Sequence, residues 1–225
     1  MLSQSDSFID EVSEEVRRDR LFATFKRYGW IAVLVILLIV GGAAWYEYDR
    51  SRETAQARAF GDAILAALEQ GEPLERATAL SAIEAGTPDA RAVRDMLEAG
   101  ERSTAGDREG ALTLLTGVAE NPELQLIYRS LAKFRALALS TDDMGPAERR
   151  AEYEDLAGAG SPLRLLAKEQ IAVTHIEEGN RDEALRQLNA MLDEAGMTQD
   201  LLRRVSQLIV SLGGTPGENG GADTE

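Results

Sequence analysis

GNRDEAL at residues 179–185 and GDREGAL at residues 106–112 are two copies of one junction between helices. In each copy a glycine, Gly179 or Gly106, ends one helix, and the next residue, Asn180 or Asp107, is a good N-cap for the following one. Ala184 and Ala111 each fall five residues after the glycine. A small side chain at that point lets two antiparallel helices approach closely. Leu185, Leu188 and Leu192 extend the apolar face of the later helix, and Leu112, Leu115 and Val118 do the same in the earlier one.

A second recurrence frames these junctions. Thr87-Pro88, Asn121-Pro122 and Ser161-Pro162 each place a capping side chain before a proline whose fixed φ suits the first helical position. Their spacings are 34 and 40 residues, the first being the length of a tetratricopeptide repeat. Ala111 and Ala184 lie 73 residues apart, about two such repeats. The pattern predicts helices near 48–69, 73–85, 88–103, 107–120, 123–140, 146–157, 162–178, 181–195 and 198–212. The expected fold is all-α, a tetratricopeptide-like solenoid of helical hairpins over 47–212. A C-terminal helix carrying Leu201, Leu202, Val205, Leu208 and Ile209 caps the last hairpin. Residues 213–225, rich in glycine, read as a disordered tail.

The N-terminal part has another character. Tyr28 to Tyr46 carry no charge, and nineteen residues at about 1.5 Å each span roughly 28 Å, the thickness of a bilayer core. Tyr28 and Trp30 stand at one edge of this run, and Trp45 and Tyr46 at the other, as membrane-interface anchors do. The expectation is a transmembrane helix over 28–46, preceded by an amphipathic lead-in helix over 1–27. A cleavable signal peptide is the competing reading, since Gly42-Ala43-Ala44 is a small-residue site. The acid-rich stretch before the run and the aromatic cluster after it argue against cleavage. Five bases precede the run within 1–29, whereas Arg50, Arg52 and Arg58 follow it, which favours a cytoplasmic N-terminus.

Charge and composition exclude several functions. The net charge is −15, and after residue 29 there are 33 acidic against 19 basic residues. Such a surface repels phosphate backbones, and no basic stripe with interleaved aromatics exists, so nucleic acid is not an expected partner. With no cysteine, disulfides, thiolate metal sites and cysteine nucleophiles drop out. His175 is the single histidine and reads as a packing residue; a hydrolase built around it is the dissenting possibility. No phosphate-binding glycine loop, nucleophile elbow or zinc-protease motif occurs. The expectation is a binding protein rather than an enzyme, with no cofactor and no metal.

The order of parts completes the picture: SFIDEVSEEVRRDRLFATFKRYGW, one apolar run ending GGAAWYEY, then degenerate hairpins with SPLRLLA and EEGNRDEALRQL. In this the chain resembles the tetratricopeptide repeat-like family of YfgM-like ancillary SecYEG translocon subunits of bacteria. The resemblance implies a single-pass inner-membrane protein with a periplasmic helical domain. Its implied partners are the Sec translocon, periplasmic chaperones and exported clients. It also implies a protein-binding groove with Leu166, Glu169, Gln170, Val173 and Glu177 facing it from the first helix of the last repeat. The alternative function is a membrane-anchored scaffold for another envelope assembly, such as cytochrome maturation or cell-wall machinery.

Overall fold

The computed structural model describes the backbone of residues 4–217, with side chains described from Trp30 onward except at Ala32. The described residues are all-helical, with no strand. The helices are α1 (Gln4–Leu68), α2 (Pro73–Ser81), α3 (Pro88–Thr104), α4 (Arg108–Glu120), α5 (Leu126–Leu139), α6 (Pro146–Leu156), α7 (Arg164–Glu177), α8 (Arg181–Leu192) and α9 (Gln199–Ser211). Two compact units divide the chain at Ala59/Phe60.

In the first unit the lead-in, the apolar run and the residues after it form one uninterrupted helix rather than separate pieces. No proline falls within α1, and Gly41 and Gly42 are tolerated in its interior. Trp30, Ile31 and Val33 to Val40 are all exposed, between 41 and 67 %. Among the described residues no helix is long and apolar enough to cross a membrane. The apolar run of the sequence starts earlier, at Tyr28, whose side chain lies outside the described residues, as do those of the lead-in segment. Residues 47–59 are exposed on every side of the helix, so the packed unit begins at Phe60 and not at residue 47.

In the second unit each helix from α2 onward packs on the next one in sequence. The core is correspondingly linear. Met96, Ala99, Ala111, Leu115, Leu124 and Ala132 join α3, α4 and α5. Leu137, Tyr153, Leu156, Ala167 and Ile171 join α5, α6 and α7. Ala172, Leu188, Met191, Leu201, Val205 and Ile209 join α7, α8 and α9. Tyr153, the largest fully buried side chain, meets Phe134 edge-on with ring centroids 5.6 Å apart, a geometry that adds about 0.5–1.5 kcal/mol beyond burial. Leu201, Val205 and Ile209 place α9 over the last pair, as expected of a closing helix.

The two repeated junctions share one backbone closure. Gly106 and Gly179 adopt φ of +84° and +77°, which side chains with a Cβ rarely tolerate. Asp107 N–H then donates to the Arg102 carbonyl and Asn180 N–H to the His175 carbonyl, at 2.9 and 2.8 Å. Ala111 and Ala184 are fully buried.

Their caps differ. The Asp107 carboxylate accepts from Gly110 N–H at 3.0 Å and occupies the place where a Cβ on Gly110 would stand. The later copy has Glu183 at that position, and Asn180, though at the N-cap, turns its amide to Glu178 instead.

The cap-plus-proline rule holds at one of its three places. Thr87 accepts from Ala90 N–H and Pro88 opens α3. Asn121 instead accepts from Glu123 N–H in a turn, and α5 starts only at Leu126. Ser161-Pro162 likewise forms a turn before α7, whose N-cap is Leu163. In both cases the side chain bonds two residues ahead, which makes a turn, rather than three, which makes a cap. α2 also ends early, at Ser81, and the freed Ile83 carbonyl accepts from Arg94.

The start of the supposed tail is part of the fold. Gly214 lies so close to α8 and α9 that a Cβ there would stand 2.7 Å from Leu185 Cδ2, and Gly217 N–H donates to the Asn189 side chain. Residues 218–225 lie outside the described residues.

The close approach at Ala111 and Ala184 predicts that replacing either with leucine destabilises the second unit by about 1–3 kcal/mol through overpacking. Urea unfolding followed by far-UV circular dichroism measures this. A change within experimental error would contradict the packing.

Candidate functional site

Of the five residues expected to face one groove, four are buried or half-buried and two are tied by ion pairs to neighbouring helices. Glu169 is 5 % exposed, and its carboxylate accepts from Arg204 of α9 through Nε at 2.9 Å and Nη2 at 2.5 Å. Leu166 packs against the core shared with α8 and α9. Glu177, at the end of α7, pairs with Arg149 of α6. Gln170 and Val173 are half-buried. α7 packs against both α6 and α8, and the stripe that the resemblance assigns to a groove carries inter-helix ties. Arg150–Glu178 adds a third tie, at 2.6 Å, and Arg164 and Lys168 both hold Glu194.

The surface that does form a trough lies elsewhere, along α4. Two concavities, of about 810 and 670 Å³, share Leu112, Thr116 and Glu120 as a common wall. These three residues, with Arg108 before them, recur every fourth position on α4, so they form one line along the helix. The first concavity runs from Arg108 and Asp143 along α4. The second is floored by Ala119, Ala136 and Leu137 and bounded by Arg129, Lys133, Met144 and Glu152. Its position follows from the chain: α5 sits between α4 and α6, and the small residues lining the space (Ala136, Ser140) leave it open.

The trough's cations are already engaged. Arg108 meets Asp142 and Asp143, each at 3.0 Å. Lys133 meets Glu152 at 2.8 Å and Asp155 at 3.1 Å. Arg129 donates to the Ala119 carbonyl. Its one sequence signal was the alternation of polar residues with Leu112 on α4, which reads equally as an ordinary solvated face.

His175 sits at the α7–α8 junction beside a polar concavity of about 520 Å³ that also includes Asn180, Arg181, Glu183 and Arg186. Its Nδ1 is 3.4 Å from Arg150 Nη1 and 3.9 Å from Glu178 Oε2. The residues lining this concavity include no hydroxyl or thiol, and Glu178 is already engaged by Arg150 and Asn180. The two charged groups beside the imidazole, Arg150 and Glu178, are paired with each other. Among the described residues no cluster of histidine and carboxylate side chains is arranged to hold a metal ion.

Burial, and then Arg150, lower the His175 pKa from its ordinary 6.5. Glu194 lies below its ordinary 4.5: burial works to raise it, but hydrogen bonds from Lys168 and Arg164 outweigh that. Neither a family model nor a curated protein nor a solved structure matches this chain.

Two predictions follow the ion pairs. Removing Arg204 strands a buried carboxylate, whereas removing Glu169 frees a half-exposed guanidinium that water can serve. Arg204→Ala is therefore expected to cost about 2–3 kcal/mol, less than the loss in a fully buried pair, and more than Glu169→Gln, as read by urea unfolding. Stability should also fall in two acid steps. Below pH 6.5 the unfolded chain takes up a proton at His175 that the folded chain resists. Below pH 4.5 the unfolded chain protonates Glu194 while the folded one still holds it ionised, and that stabilisation is lost as pH falls through the folded value. Unfolding midpoints against pH should lack the first step for His175→Gln and show a smaller second step for Glu194→Gln, the remainder coming from Glu178 and Asp107, which Arg150 and Arg102 hold below their ordinary values.

Proposed function

We propose that this chain is a single-pass, membrane-anchored protein-binding subunit of the bacterial inner membrane, with its helical unit in the periplasm beside the Sec translocon. In this reading it assists exported proteins and is not an enzyme. The observation that carries it is the helical stretch from Trp30 to Val40. It is apolar on all sides, exposed on all sides, and followed by exposed Trp45 and Tyr46. A helix of that kind is stable only in apolar surroundings. The sequence lengthens the stretch to nineteen uncharged residues from Tyr28 to Tyr46. A lipid bilayer supplies the missing cover.

The helical unit suits a binding role. Consecutive helices, glycine-closed junctions with buried alanines and a closing α9 match a tetratricopeptide-like array. Such arrays present long surfaces on which polypeptide segments bind weakly and reversibly. The placement at the translocon comes from the sequence resemblance, and the basic residues ahead of the apolar run support a cytoplasmic N-terminus.

Crosslinking in intact cells, followed by purification of the full-length protein from membranes, tests this reading. Recovery of translocon subunits is expected. Consistent absence of those subunits with enrichment of another envelope assembly would replace it with the scaffold reading, and protein found free of membranes would overturn both.

A further inference from the structure

We infer that the trough along α4, α5 and α6 is the docking groove for polypeptide, and that its ligand is a segment with a bulky apolar side chain flanked by lysine or arginine. This rests on the protein-binding reading above and adds to it the place and the chemistry of the contact.

Shape comes first. Arg108 to Glu120 is thirteen residues of one helix, about 18 Å from first to last, which accommodates roughly five residues of extended chain. The wall of Leu112 and Thr116 is continuous between the two concavities, so a single segment can follow it. The second concavity is lined on its apolar side by Ala119, Ala136 and Leu137. Met144 stands at its side, and a flexible thioether adapts to side chains of different shape. An apolar side chain of the ligand gains most by entering there.

Charge then selects the flanks. Arg108, Arg129 and Lys133 are the cations of the trough; Glu109, Glu120, Asp143 and Glu152 line it, and Asp142 and Asp155 stand just behind as pairing partners. Six carboxylates thus face three cations. Arg108 and Lys133 are each held between two carboxylates. Glu109 and Glu120 are exposed, and neither has an ion-pair partner among the described residues. Among the described residues of the trough, unpaired carboxylates outnumber unpaired cations: Glu109 and Glu120 stand at the two ends of the stretch that carries Leu112 and Thr116, against Arg129 alone, whose Nε donates to the Ala119 carbonyl. A cationic flank meets Glu109 or Glu120 without displacing an existing pair, whereas an acidic ligand would face the repulsion of six carboxylates and find two of the three cations, Arg108 and Lys133, already paired. The acidic excess of the whole chain after residue 29 draws the same class of ligand toward it.

The test uses the full-length protein in zwitterionic phosphatidylcholine nanodiscs, with empty nanodiscs as the control for lipid binding. The probe is a fluorescein-labelled peptide of about eight alternating leucines and lysines, long enough to fill the trough. Its analogues carry glutamate for lysine or serine for leucine. Fluorescence anisotropy should show binding of the leucine–lysine peptide that weakens with salt, and both analogues should bind at least about tenfold more weakly. Thr116→Arg, which fills the shared wall, and Glu120→Lys, which reverses the free charge, should each weaken binding by at least about tenfold. Both alter exposed positions, so circular dichroism should be unchanged; Leu74→Arg, on the exposed face of α2, should bind as the parent does. Parent-like affinity in both trough variants, or equal binding of the glutamate analogue, overturns the inference. If peptide binding obeys these rules while crosslinking finds no translocon, the groove stands and the assignment of its partner complex falls. If the translocon is recovered but no peptide binds, the groove alone falls.

Discussion

The second unit depends on how closely one helix can lie against the next. Helices that touch mainly their neighbours in sequence have no large common interior to shelter in, so each contact must be tight. Ala111 and Ala184, both fully buried, allow that approach, and Gly106 and Gly179 turn the chain sharply enough for the following helix to use it. Leucine and methionine then fill the layers beside these points, at Leu115 in one and at Leu188 and Met191 in the other. Charged ties such as Glu169–Arg204 and Arg149–Glu177 fix which helix meets which. They orient the packing; burial of apolar surface supplies most of its stability.

The trough on α4 is a by-product of the same economy of side chains. α5 contributes Ala132 and Leu137 inward to two different cores, and Ala136, at the edge of the first, is too short to fill the space between α4 and α6. What remains is a lined channel whose polar groups are largely committed to one another. Specificity in such a place comes from the few groups left uncommitted.

Much of the fold was legible because it is written in local signals. Gly106 and Gly179 with their following alanines mark the two junctions, and the apolar periods of α3, α4, α6 and α9 give those helices nearly their observed bounds. The failures are also local. Asn121-Pro122 and Ser161-Pro162 can cap a helix or close a turn, and sequence does not record whether the side chain bonds two or three residues ahead. The site was less legible. The resemblance assigns Glu169 to an open groove, yet the position of α9 makes it a buried partner of Arg204. The trough was invisible because it is made of an absence, the short side chains of α5, bounded by residues from three helices.

The overlap of the three cores has a further meaning. α5 belongs to the first and second, α7 to the second and third. Neither helix can melt without opening two layers at once, whereas α2 and α9, at the ends, guard one each or less. Cooperativity therefore passes along the array through shared beams rather than through a central mass. Fraying should begin at the rims and stop at α5 and α7, which gives the unit a graded rather than uniform resistance to local opening.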